Sequence, residues 1–559
     1  MNEATHCPLP AQGCDFGRKG AAPILLCCSL TFFLFACGRD PIPEPALSQE
    51  ESRPVTGDTY VEASLGDPSR LNPLLASDSA SGSVNGYLFN GLVKYDRDLK
   101  LVGDLAESWE VRRGGLEILF HLRKNISWHD GVSFTANDVV FTYQRLIDPK
   151  VMTPYGSDFA LVKSVTAVDP WTVRVIYKEP FAPALESWGI GMVPQHVFEK
   201  GDFNTNPANR APVGTGPYKF QLLKTDEKAV LVANEAYFEG RPFIDRVVIR
   251  VIPDGSVQFL ELRNQSIDSM GLTPDQYIAY DSFFKHHQKF RYPSFSYTFF
   301  GFNLQRDLFK DLRVRQALAL ALDKREIING VLLGYGRSAT GPFPPSSWAF
   351  DPTVPELPFD PSRAKALLAD AGWRDTDGDG LLDKDGKPFS FTVMTNQGNK
   401  IREQTAVILQ SHFARVGLKM EVRILEWSSF IHDFVDKGNF DAIILGWNLG
   451  RDPDQYLIWH SSQRGEGRYN FIGYQNPVAD HLWEEGRRTF DQAKRQEIYR
   501  KLHRLLADDL PYIFLYNPEA LPTVHKRFHN VIVAPAGIGW NFREWFAPTS
   551  QQRYRLSSY

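Results

Sequence analysis

Cysteine is missing from all but the start of the 559-residue chain: Cys7, Cys14, Cys27, Cys28 and Cys37 are all five. Everything after residue 37 therefore lacks both a disulfide framework and a thiolate metal centre. No block of lysine and arginine stands anywhere and the formal net charge is −4, so the positive footprint of a nucleic-acid binder is absent. The sequence has no Gly-x-Ser-x-Gly elbow, no His-Glu-x-x-His and no phosphate loop, which removes the signatures of serine hydrolases, zinc peptidases and nucleotide-dependent enzymes. The one long apolar run, residues 21–36, is too short for a comfortable membrane span.

That run has a different use. Arg18-Lys19 precede it, and charge followed by a short apolar stretch suits a secretory signal. It ends in Leu34-Phe35-Ala36-Cys37-Gly38, which resembles a bacterial lipobox. The resemblance implies a signal peptide over 1–36, cleavage before Cys37 and lipidation of its sulfur. Pro41, Pro43, Pro45 and Pro54, set among Ser and Glu, make residues 37–57 a polar tether that cannot bury a core.

The remaining 500 or so residues exceed what one core serves, so several domains are expected. Gly114-Gly115 turn the chain into Leu116, Ile118, Phe120 and Leu122, the alternation of a half-buried strand. Thr135, with Asp138 three residues on, predicts a helix from Ala136 whose Val139, Val140, Tyr143 and Leu146 face the core. Asp323 with Glu326 resembles a capping box, Asp360-Pro361 reads as a helix start and Gly372 as its stop. Phe389 to Val393, Ile401 to Val416 and Leu418 to Ile424 spell strand, helix, strand, a unit with parallel strands. Gly214 and Gly216 lie within three residues, but no helix opening with Lys-Ser/Thr follows, so turn chemistry is the reading. His121 and His129 lack a third converging partner and are given no chemistry.

The most informative stretch runs from Phe440 to Tyr456. An apolar run with β-branched Ile443 and Ile444 reads as a buried strand and breaks at Gly446-Trp447-Asn448 into Gly450-Arg451-Asp452-Pro453-Asp454. At these residues the chain resembles the family 5 extracellular solute-binding proteins, receptors of oligopeptide and dipeptide ABC importers. Further landmarks follow the family's order: Leu71-Asn72-Pro73, Phe89-Asn90-Gly91-Leu92, Leu122-Arg123 through Asp130-Gly131 to Phe134-Thr135-Ala136, Pro212 to Lys219, and Asp311 to Leu318.

The resemblance implies an α/β, two-lobed periplasmic-binding-protein-like fold with an extra family-type domain and a ligand cleft between lobes. Its expected parts are a first lobe of 58–89, 211–303 and 517–559, an additional domain of 90–210, and a second lobe of 304–516. It implies a receptor, not an enzyme, that captures a peptide or peptide-like solute by strand addition and hands it to permease subunits. Exported placement at a membrane through Cys37 and a monomeric state are expected, with no cofactor. Ligand contacts are expected from Trp447, Asn448, Gly446, Arg451, Asp452, Trp427, Asn303 and Tyr516. Peptide-binding relatives carry an Asp soon after the cleft Trp to pair the ligand's α-amino group; here Asn448, Leu449 and Gly450 follow Trp447, and Asp452 arrives late. Binders of nickel chelates, glycosides or opines would keep every landmark, and a hydrolase is the rival of a different class. Asp375, Asp377, Asp379 and Asp383 resemble the start of a calcium loop, but position 12 is Gly386 where a bidentate Glu is required, so a solvated hairpin is the preferred reading.

Overall fold

The computed structural model describes residues 53–279 and 281–554. The signal segment, Cys37 and most of the tether lie outside the described residues. Among those described, no helix is long and apolar enough to cross a membrane.

Two seven-stranded sheets dominate. In the first, strand Gly57–Ser64 runs parallel to Ile244–Val251, and Lys228–Ala233 and Tyr218–Lys224 continue antiparallel to one edge. Ser269–Gly271, Pro522–His525 and His287–Lys289 complete the other side. In the second sheet, Ser296–Phe302 lies between Tyr512–Ala520 and Ala442–Asn448, beyond which come Ser390–Asn396 and Lys419–Leu425. The strand–helix–strand unit read from the pattern is present: Ser390–Asn396 and Lys419–Leu425 are parallel, joined by helix Lys400–Ala414. A separate four-stranded antiparallel sheet, residues 106–177, packs under helix Ala136–Ile147. Its strands Val162–Asp169 and Thr172–Tyr177 form the hairpin around Asp169-Pro170-Trp171.

One expected boundary moves. Residues 296–302 fall in the second sheet, although the first lobe was expected to run to 303, because Tyr297 and Phe299 bury one face against Phe514 and Tyr512 while Phe300 buries the other against Phe391. The chain passes from first to second sheet at 290–295 and returns at Leu521. The two crossings pair with each other, Tyr292 opposite Ala520 and Pro293 opposite Glu519, and Arg291 forms an ion pair with Glu519. Two adjacent strands that cross together make a narrow pivot.

Local signals hold where propensity and capping agree. Thr135 and Asp138 form a reciprocal capping box, which satisfies two helix-end donors at once. Asp360, Asp311 and Asp491 cap their helices. Asp323 also caps, but Glu326 reaches His412 at 2.7 Å instead of closing a box. The glycine pair at 214 and 216 is a close backbone approach: a Cβ at either would collide with the carbonyls of Leu88 or Tyr87. His129 packs against that turn, with Nδ1 accepting from Gly214 N at 3.1 Å and Nε2 against Gly216 O.

Candidate functional site

A cavity of about 800 Å³ opens beside the second sheet, walled by that sheet, by helix Ser79–Leu88, and by residues 155–191 of the additional segment. One wall is the last part of strand Ala442–Asn448. This strand pairs with Ser296–Phe302 along its whole length, but its pairing with Ser390–Asn396 stops at Met394 opposite Ile443. Leu445 to Asn448 therefore carry an unpaired edge among the described residues. In such a ladder, alternate residues direct both backbone groups to the same side. Leu449 N donates to Phe295 O at 2.8 Å, and Ile444 O on the opposite side accepts from Thr395 Oγ1 at 2.9 Å. The alternation leaves Gly446 and Asn448 presenting N–H and C=O to the open edge.

Aromatic surfaces flank this edge. Trp447 stacks on Phe471 at 5.7 Å, meets Tyr469 edge-on at 5.2 Å, and its Nε1 lies 3.4 Å from Tyr512 Oη. The Tyr469 hydroxyl contacts that of Tyr155 at 3.2 Å, carrying the wall across to the additional segment. Trp427 also lines the cavity and lies against Gly66, with its indole nitrogen buried and unpartnered. Gly446, Asn448, Asp452 and Tyr516 line the same space.

Two expected residues lie off the cavity wall, and a third reaches it already paired. Asn303 lies outside the cavity wall: its side chain donates to Gly438 O at 3.0 Å and Phe440 O at 2.8 Å at the opposite end of the strand pair. There it ties a turn to the sheet. Arg451 is likewise no wall residue; its guanidinium lies over the Phe295 ring at 3.8 Å, a cation–π contact, and burial pulls its pKa down. Asp452 reaches the wall with its charge already engaged, paired with both Nη atoms of Arg495 at 2.5 and 2.7 Å. Burial pulls Arg495 down, but Asp452 outweighs it and holds the guanidinium above its usual range. Asp454 is engaged in the same manner by Arg487 Nε at 2.8 Å, and Arg487 also binds Asp158 of the additional segment.

The sequence reading missed Arg402, Glu186 and Asn85, which also line the cavity. Arg402 sits three residues into helix Lys400–Ala414, hydrogen-bonded to Asn396 Oδ1 at 2.8 Å. Burial depresses its pKa. Glu186 Oε1 lies 3.4 Å from Asp452 N. Burial, then the nearby Asp452 charge, raises its pKa to about 7. Asn85, on helix Ser79–Leu88, is buried with neither amide atom partnered. None stands in a local motif; long-range packing brings them to one space.

In the aspartate-rich loop, Asp375, Asp377 and Asp379 bring carboxylate oxygens within 4.8 Å of one another, all exposed. Asp383, the fourth candidate ligand, instead accepts from Thr376 N and Oγ1 at 2.9 and 2.7 Å, which stabilises the hairpin.

The sequence profile of the bacterial extracellular solute-binding proteins, family 5 (middle), matches residues 100–468. The oligopeptide-binding protein AppA of Bacillus subtilis is 35% identical over 528 residues, covering 92% of this chain and 96% of the relative. The solved structure of that protein with a nonapeptide superposes with a TM-score of 0.85 at 34% identity, covering 89% of this chain and all of the other. NikZ of Campylobacter jejuni, solved with Ni(L-His), gives a TM-score of 0.80 at 30% identity, covering 88% and 99%.

Proposed function

The chain belongs to the bacterial extracellular solute-binding proteins of family 5, and from that premise we propose that it is the solute receptor of an ABC importer, capturing a peptide and passing it unaltered to a permease. The observation that carries this reading is the open strand edge at Leu445–Asn448 inside the cavity. An extended peptide adds to such an edge through main-chain groups common to every sequence. Affinity then comes from the backbone bonds and the flat rings of Trp447, Tyr469 and Trp427, and side-chain selectivity stays loose.

A nickel-chelate reading has less support. Among the described residues the cavity wall contains no His or Cys, so such a ligand would have to bring its own nitrogen donors. Capture would proceed by closure of the two sheets about the paired crossings at 290–295 and 521. The additional segment contributes to the closed wall through Tyr155 and Glu186. The chain is exported, held at a membrane through lipid on Cys37 and monomeric in this proposal.

Native mass spectrometry of protein purified from its host, followed by incubation with isotope-labelled peptides, tests it. A retained peptide recovered intact is the expected result. Cleavage products, or a retained metal chelate, would replace the reading.

A further inference from the structure

Which peptides fit is set by the charges the cavity leaves unmatched. Six carboxylates line it among the described residues, and five are committed. Asp452 pairs with Arg495, Asp454 and Asp158 with Arg487, and Asp436 with His432 at 3.0 Å. Asp78 caps helix Ser79–Leu88 and accepts from Ser69 and Ser81 hydroxyls. Glu186 is the sixth. Its hydrogen-bond partners are the Tyr95 hydroxyl and the Asp452 amide; Arg451 acts on it through space, but no cation stands within ion-pair distance among the described residues. A half-buried carboxylate hydrogen-bonded only to neutral donors is strongly favoured by an incoming ammonium.

The opposite charge is as isolated. Among the described residues Arg402 is the cavity wall's only basic residue, and none of the described carboxylates pairs with it. Its Nη2 lies 3.0 Å from where a Cβ on Gly446 would stand, while Glu186 Oε1 lies 3.2 Å from the same point on Gly450. The two charges thus flank the cleft segment at positions four residues apart. At about 3.3 Å per extended residue the two glycine Cα atoms are at most about 13 Å apart. With each charge standing about 3 Å off its glycine, the charges are at most roughly 20 Å apart, room for a short extended peptide with an ion pair at either end. Between them lie the open backbone groups of Gly446 and Asn448. The unpartnered amide of Asn85 supplies the cavity with one further donor and acceptor, matching what a peptide unit requires.

We propose that Glu186, on the additional segment, is the anchor for the ligand's α-ammonium group, replacing the aspartate that Asn448 and Leu449 displace, and that Arg402 takes the carboxylate, so that the cavity selects short zwitterionic peptides of about two to four residues. This rests on the peptide-receptor reading of the same cavity. It differs from that reading in fixing which end lies where and how long the ligand is.

The test uses the full mature chain and an equimolar synthetic mixture of peptides from two to nine residues, with bound peptides identified by native mass spectrometry. The best retained sequence is then resynthesised with a free, an N-acetylated or a C-amidated end and titrated by calorimetry. Peptides of two to four residues should be retained. Acetylation should weaken binding to the wild type by about 30-fold or more, as should amidation, the usual loss when one partner of an enclosed charge pair is removed. Glu186→Gln should weaken binding of the free peptide and abolish the acetylation penalty while keeping the amidation penalty; Arg402→Gln should do the reverse. The modified peptides test the wild type alone, so the proposal stands or falls even if a variant misfolds. Equal binding of acetylated and free peptides, or retention of only the longer ones, overturns the anchor assignment and leaves the receptor reading intact. Retention of no peptide at all, by protein that melts cooperatively, overturns both.

Discussion

At the scale of single residues, the site contrasts groups that bind with groups that brace. Trp447 belongs to the first kind: half-buried, stacked on Phe471 and facing the cavity. Trp447→Ala should lower affinity for the retained peptide by about 1–3 kcal/mol, the range for a lost aromatic anchor, measurable by calorimetry. Unchanged affinity would place the ligand elsewhere. Asp452 belongs to the second kind. Its bidentate pair with Arg495 is largely buried, at 17% and 7% side-chain exposure, and removing one partner of such a pair costs about 3–5 kcal/mol because the other charge is left alone. Asp452→Ala should therefore reduce unfolding free energy by that order in a urea melt. A variant as stable as wild type would show that the carboxylate is free for ligand.

At the scale of elements, the unit that matters is the strand whose outer edge runs past its neighbour. Asn448 is exposed and its N–H points to that open edge, so proline there removes a donor for the ligand without breaking a ladder bond. Asn448→Pro should keep the melting temperature near wild type while weakening peptide binding by about tenfold, the worth of roughly one enclosed hydrogen bond. A large drop in melting temperature would mean that the amide serves the sheet instead. The strand itself was legible from Ile443, Ile444 and the break at Gly446, and so was the parallel unit beside it, because period and capping residues are local properties. Its unpaired edge was not legible, since that depends on where Ser390–Asn396 diverges from it, a fact of three-dimensional register.

At the scale of the whole molecule, closure and stability depend on groups distant in sequence. Arg487 joins Asp454 of the cleft loop to Asp158 of the additional segment. Burial lifts the Asp158 carboxyl to about 6 against the pull of that arginine. Stability against acid has another source. His503 is fully buried, its Nδ1 accepting from Asp351 N at 3.1 Å and its Nε2 meeting Thr340 Oγ1, and burial lowers its pKa from 6.5 to about 4. Between those values the unfolded chain takes up a proton that the native state refuses, so this histidine's contribution is lost as pH falls from 6.5 towards 4. Glu62 acts in reverse, because burial raises its carboxyl to about 7 and its ionisation opposes folding as pH rises through 4.5–7. His503→Gln, compared with wild type, isolates the first effect: the stability difference between the two should change by up to about 1.4 kcal/mol per pH unit between pH 4.5 and 6 and be flat above 7. A parallel pair of pH profiles would rule out the assignment.

Sequence alone determined the strand–helix–strand unit over 389–424, the caps at Thr135 and Asp360 and the family, and it singled out the stretch 440–456. These rest on periodicity, turn chemistry and landmark spacing, all read along one dimension. The resemblance placed Asn303 and Arg451 among the expected ligand contacts, and neither lines the cavity. Only the tertiary structure decided which charges remain available. Asp452 and Asp454 are taken by arginines about 30 to 40 residues further on, while Glu186, more than 260 residues before Asp452, comes to lie at its amide. Pairing between charges is settled by distance in space, and neither the type of a side chain nor its position in the chain carries that distance.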